Sequence, residues 1–235
     1  MGIMEAQYNM KTTVFSEGNK TFETRHELEG VEGAANTMIV ITERPVLNTD
    51  NYTCVDSSWM HIQNHMKELD IGTIRLVNLF ATVWHDKPTA KELRYDEENI
   101  SYIDKLLDDP ADGVIIGWGN GLSSNIEVAK IKLAILKMLK EKKVENVYHF
   151  IADGLDPDMA EGLHPLFLGL RYGRKQWGLE EYPVDAMIAS LERLIKEKTK
   201  KKPAPKKKAR SKKGKEQEDD GSFQVEVIED VLESA

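Results

Sequence analysis

Apolar residues fall into four short runs separated by helical patterns. Met38-Ile39-Val40-Ile41, Ile74–Phe80, Val114–Ile116 and Val144–Ile151 are largely continuous and rich in β-branched side chains, as strands buried on both faces require. Between them the spacing changes to threes and fours. Trp59, Ile62, Met66 and Leu69 predict a helix after the capping candidates Asp56 and Ser57, with Gly72 as its stop. Ile100, Ile103 and Leu107 predict a second helix over Asp96–Leu107, broken by Pro110 and Gly113. Ser124-Asn125-Ile126-Glu127 reads as a capping box opening a third helix through Leu133, Leu136 and Leu139. A last helix follows Tyr182-Pro183 and runs through Met187, Leu191, Leu194 and Ile195.

Strands alternating with helices of this length predict an α/β fold: a mostly parallel sheet of four to five strands with helices on both faces. A ligand is then expected at the carboxyl ends of the strands. Residues 1–36 are polar and weakly patterned, with at most a hairpin around Thr13–Phe15 and Thr21–Leu28. Residues 37–196 form the expected α/β domain. Residues 197–221 hold no large apolar side chain, so they cannot offset the entropy of ordering and are expected to be a disordered lysine-rich tail. In 222–235, Phe223, Val225, Val227, Ile228, Val231 and Leu232 mix with acidic residues. That peptide either adds a strand to a protein partner or remains an edge strand or disordered.

Composition narrows the setting. Without the tail, the 235 residues leave the length of one domain. A single cysteine, Cys54, excludes an intramolecular disulfide and fits a reducing compartment. No signal-peptide pattern and no membrane-length apolar run occurs, so a cytoplasmic location and no membrane partner are expected. The net charge of -8 is unevenly spread. Residues 196–215 carry 12 basic side chains and one acidic, residues 216–235 carry 8 acidic and none basic, and the body holds 20 basic against 31 acidic. An acidic body with a basic tail is not an all-over-basic nucleic-acid binder. The tail has two readings, a phosphate-neutralising arm or a solubilising extension.

Four loops follow the four predicted strands and bring polar residues to one edge. They contain Thr42-Glu43-Arg44-Pro45 with Asp50 and Thr53, then Asn78 with Trp84-His85-Asp86, then Gly117-Trp118-Gly119-Asn120-Gly121, then Gly162-Leu163-His164-Pro165. The glycine-rich loop before a helix suits either a phosphate or base contact or a structural tight turn. It matches neither the phosphate-loop nor the dinucleotide pattern, and no cofactor is expected. Trp118 is a base-stacking candidate or a core residue. His61 and His65 lie four apart on a helix, yet no third ligand is near in sequence and no metal is expected. His164 is placed to donate to a developing anion or to exchange a proton.

Val77-Asn78-Leu79-Phe80-Ala81, Ile115-Ile116-Gly117-Trp118-Gly119 and His164-Pro165-Leu166-Phe167-Leu168 resemble the Asn-Leu-Phe, Trp-Gly and His-Pro-Leu blocks of the domain-of-unknown-function 1643 family. The resemblance covers roughly residues 20–172. That family's Asn-Pro-Ser motif after the first strand is replaced here by Thr42-Glu43-Arg44-Pro45, while Asp50 and Thr53 resemble its next Asp and Thr. A more distant similarity is to the uracil-DNA glycosylase superfamily, through Pro45, Asn78, Trp118-Gly119 and His164-Pro165 in the same order. It implies a pocket lined by Pro45, Asn78, Trp118, Gly119, Asn120 and Pro165. In it Asn78 reads the edge of a base, and His164 stabilises the anion left when an N-glycosidic bond breaks. Glu43 and Asp50 are the candidate acids, but Arg44 stands where the superfamily has its aspartate, and the serine after His-Pro is absent. The expected function is therefore base, nucleotide or nucleic-acid handling rather than uracil excision. The alternative is a non-catalytic nucleic-acid-binding or adaptor protein that uses the tail and the acidic peptide.

Overall fold

The computed structural model describes residues 7–47, 56–156 and 162–200, together with 5, 50, 53 and 159. Cys54, the lysine-rich tail beyond residue 200 and the acidic peptide 222–235 lie outside the described residues. The strands are β1 (Asn9–Glu17), β2 (Lys20–Glu29), β3 (Asn36–Thr42), β4 (Ile71–Asn78), β5 (Gly113–Ile116), β6 (Val147–Ala152) and β7 (Trp177–Glu181). The helices are α1 (Ser57–Gln63), α2 (Glu97–Leu106), α3 (Ile126–Glu141), α4 (Pro165–Tyr172) and α5 (Val184–Lys200). No helix among the described residues is long and apolar enough to cross a membrane.

Among the described residues the sheet has seven strands in the order β1-β2-β4-β3-β5-β6-β7, larger than the expected four to five. It is also mixed. β4, β3, β5 and β6 are parallel neighbours, whereas the β1–β2 hairpin joins β4 antiparallel and β7 joins β6 antiparallel. The four apolar runs supply the parallel centre, because a strand covered by helices on both faces must be apolar on both. The hairpin expected around Thr13–Phe15 and Thr21–Leu28 is present as β1 and β2, while β7, with only Trp177 buried, carries no apolar run that would mark it.

Alternation along β3 divides the core. Ile39 and Ile41 pack with Ile100, Ile103 and Leu106 of α2 and with Ile131, Ile135 and Leu139 of α3. Met38 and Val40 pack on the other face with Trp59 and Ile62 of α1 and Leu168 of α4. Helix α5 has no fully buried residue, and lays Val184, Met187, Ile188 and Leu191 against the first layer. It runs to Lys200, past the expected start of the tail at residue 197.

Local chemistry moves two boundaries. Helix α1 stops at Gln63, and Gly72 does not end it. Gly72 lies inside β4, where a Cβ would come 2.3 Å from the Ala34 carbonyl oxygen, and Asp70 takes the left-handed turn before it at φ 54°. Helix α3 is capped by Asn125, whose Oδ1 accepts from the N–H groups of Glu127 and Val128 at 2.9 and 3.5 Å. Ser124 is thus one residue too early for the expected capping box.

Helices α1 and α4 touch so closely that Gly169 has no room for a side chain. An added Cβ would lie 1.9 Å from Cγ of His61. Gly169→Ala is expected to lose about 1–3 kcal/mol to overpacking, outweighing the roughly 1 kcal/mol that alanine gains over glycine inside a helix. Urea unfolding measures the loss, and adding His61→Ala restores most of it if the clash is the cause.

Candidate functional site

The carboxyl ends of the four parallel strands are tied together by hydrogen bonds that fix the loops. Thr42 and Asn78 are register partners at the ends of β3 and β4. The Thr42 hydroxyl donates to Asn78 Oδ1 at 2.6 Å. With its oxygen taken, the buried Asn78 amide keeps its NH2 group as the part able to address another molecule. The Asn99 amide holds the same turn from below, donating to the carbonyls of Asn78 and Leu79 at 2.9 and 3.2 Å. Beyond the strands, the N–H groups of Leu79 and Phe80 donate to the carbonyls of Thr42 and Glu43 at 2.9 and 3.3 Å. The Gly117 N–H, at the end of β5, donates to the Ile41 carbonyl at 2.9 Å.

The β5 and β6 loops meet at Gly119. Its N–H donates to the Gly162 carbonyl at 2.8 Å. Its φ of 66° is left-handed, and a Cβ there would lie 2.9 Å from Cβ of His164. Only glycine satisfies both the backbone conformation and the contact. Pro165 begins α4 and packs over Gly117, where a Cβ would be 3.3 Å from the proline Cδ.

His164 is the N-cap of α4, and its Nδ1 accepts the Leu166 N–H at 3.2 Å. A backbone N–H only donates, so Nδ1 is the acceptor and the ring hydrogen resides on Nε2. Burial, and then the charges of Arg44 and Lys132, push the His164 pKa down to about 4. At neutral pH this residue is an uncharged imidazole with an Nε2–H to donate.

Lys132 is a member of the site that the sequence reading did not include. It sits in the buried stripe of α3, between Val128 and Leu136, and is 7% exposed. Its ammonium donates to the Gly119 carbonyl at 2.7 Å and lies 5.3 Å over the Trp118 ring. Burial lowers its pKa to about 8, opposed by the nearby negative charge of Glu43. A lysine at the spacing of a buried helix face was the signal in the sequence. Arg44, which the sequence already places in the loop after β3, is exposed beside Glu43.

The remaining expected residues divide. Glu43 is partly buried, with Oε2 3.6 Å from where a Gly121 Cβ would stand and Oε1 4.0 Å from Arg44 Nε. Pro45 is buried, and Asn120 and Asp50 are exposed, Asp50 in a turn beyond the β3 loop. Trp118 is 2% exposed and meets Tyr182 edge-on at 6.2 Å. It forms part of the core beneath the loops, with its ring facing the Lys132 ammonium. A cavity of about 270 Å³ opens past the end of β4, lined in part by Trp84, Arg94 and Tyr95. His61 and His65 are engaged in packing, His61 against Gly169 and His65 stacked on Trp177 at 4.1 Å with Nδ1 bonded to Glu68.

At the α3 N-terminus the Asn125 side chain already takes the N–H groups of Glu127 and Val128. Positive and donor character near the glycine loop comes instead from Lys132, Arg44 and His164. A family profile described as "Protein of unknown function (DUF1643)" matches residues 25–166, which include every site residue named above. No curated protein and no solved structure matches the chain significantly.

Proposed function

We propose, from the premise that the chain belongs to the DUF1643 family, that it handles a nucleobase, nucleotide or nucleic acid and acts on an N-glycosidic bond. The observation that carries this reading is the neutral His164, with Nδ1 tied to backbone, on the loop cluster that also holds Glu43 and that Lys132 of α3 reaches. When the bond from C1′ to a ring nitrogen breaks, its electron pair goes to the base, and the sugar becomes cationic until water adds at C1′. A donor already in place near the base carbonyl stabilises that anion without reorganising. Neutral imidazole suits this role because it gives a hydrogen bond without having to lose its proton.

Asn78 presents N–H donors, since Thr42 holds its oxygen, and so addresses an acceptor on the base edge. Glu43, as its carboxylate, is assigned the general-base role of orienting the water and taking its proton, and Asp50 lies in an exposed turn. Trp84 and Tyr95 supply aromatic surface in the neighbouring cavity, a role the buried Trp118 does not fill. The order Pro45, Asn78, Trp118-Gly119 and His164-Pro165, on the ends of four successive parallel strands, supports a glycosylase-like fold. The basic run at 196–215 adds a non-specific hold on phosphates, and 222–235 is a peptide for a protein partner.

A panel of free bases, nucleosides, nucleotides and short DNA, read by thermal shift, tests the reading. A base-containing ligand at a hundred times its Kd raises Tm by about 5 °C or more, and chromatography of the same mixtures shows released base. A second reading, a non-catalytic binder or adaptor, is favoured by Arg44 standing beside the candidate acid. It predicts the thermal shift with no released base. Silence across the panel removes the first reading and leaves an adaptor that works through its tail and acidic peptide.

A further inference from the structure

Lys132 has no role in the bond-breaking step just described, yet it is among the least ordinary side chains in the fold. A lysine is rarely fully buried without a carboxylate partner. Here the ammonium is met by a carbonyl and an aromatic face, those of Gly119 and Trp118. Glu43 acts on it through charge alone. Gly119 in turn is bonded to Gly162 and is in contact range of the His164 Cβ. One short chain of contacts therefore runs from α3 through the glycine loop to the imidazole.

We infer that Lys132 is a positioning residue: its ammonium clamps the Gly119 carbonyl and, acting across that loop, fixes the place and the electrostatic surroundings of His164. This deepens the proposed site and rests on that reading for its purpose, though not for its test. Among the described residues, the charges acting on His164 are Arg44 from the loop after β3 and Lys132 from α3, and Glu43 acts on Lys132. Burial is the largest cause of the low His164 pKa, the Arg44 charge the next and the Lys132 charge the last, and of the two cations Lys132 is the enclosed one, so its charge acts through a poorly screening medium. A clamp of this kind makes the donor available before any ligand arrives, which is how preorganised sites gain their advantage.

The test uses the full chain without ligand. Lys132→Met keeps the length and apolar stem but removes the charge. Following the His164 ring carbon and proton resonances against pH, the variant is expected to raise the His164 pKa from about 4 by about half a pH unit or more. An unchanged midpoint overturns the inference. If the variant does not fold, the wild-type protein answers the same question. His164 then shows a second inflection close to pH 8, where Lys132 loses its proton, and a flat response there overturns the inference. A purely structural lysine would alter Gly119 amide exchange without producing that inflection. Because no ligand is present, a silent ligand panel counts against the functional reading and leaves this result standing.

Discussion

Replacing Arg75 by methionine is expected to destabilise the fold by about 3 kcal/mol, the lower end of the range for breaking a buried ion pair. Glu23 of β2 is fully buried and Arg75 of β4 is 8% exposed. Arg75 engages both carboxylate oxygens, through Nε at 2.9 Å and Nη2 at 3.0 Å. Its Nη1 also reaches Asp109 at 2.7 Å. Tyr102 of α2 and Arg25 complete the shell around Glu23 at 2.7 and 2.9 Å, and their survival in the variant keeps the loss from being larger. This network ties the hairpin to the parallel sheet and to α2.

The pH dependence of that variant follows from the sign of the shift. Burial alone raises the Glu23 pKa, but hydrogen bonds from Arg75, Tyr102 and Arg25 outweigh it and hold the carboxyl below its usual range. A depressed carboxylate contributes stability above its unfolded pKa and loses it as pH falls through the folded one. Without Arg75, burial regains weight and Glu23 binds its proton more readily. The deficit of Arg75→Met, measured by urea unfolding, is therefore largest near neutrality and shrinks below the carboxylate range. A deficit independent of pH would locate the loss in packing instead.

His164→Asn is the second change of large effect. Asparagine is a good N-cap, so α4 keeps an acceptor for its first turn, while its shorter NH2 group falls back from the position that the imidazole gives Nε2–H. Loss of one preorganised donor to a developing anion lowers turnover by about 10²–10³-fold. Base release by the variant is expected to fall by that factor, with Tm close to wild type. A fall in Tm accompanying the loss would mean that the change had damaged the loops rather than the chemistry.

The sequence showed the parallel core well because burial on both faces forces apolar runs, as in Met38–Ile41 and Val114–Ile116. It showed the outer hairpin only as a weak pattern around Thr13–Phe15 and Thr21–Leu28, present as β1 and β2, and did not mark β7. β2 hides Glu23 and His26 inside, bonded to partners distant in sequence, Arg75 to the Glu23 carboxylate and Thr12 to the His26 Nδ1. Such a strand has no apolar run to read. Helix α4 was missed because Pro165-Leu166-Phe167-Leu168 reads as a loop motif, although proline at a first helical position after a capping side chain is a helix start.

The site was legible as a set of loops and not as an arrangement. His164, Asn78 and Glu43 were marked by residue type and by their place after strands. Trp118 looked identical in sequence whether it faced a ligand or the core, since an indole suits both. Lys132 escaped because a lysine inside a helical stripe is usually read as snorkelling to solvent. Here the helix end is roofed by the glycine loop, and the ammonium meets a carbonyl instead of water.

The most direct test of the account compares wild-type protein and His164→Asn in one assay. Each is incubated at neutral pH with whichever base-bearing ligand stabilises the wild type most, and free base is quantified over time. The account predicts accumulation with the wild type and a rate lower by at least about a hundredfold with the variant. Equal rates from two equally folded proteins would contradict it.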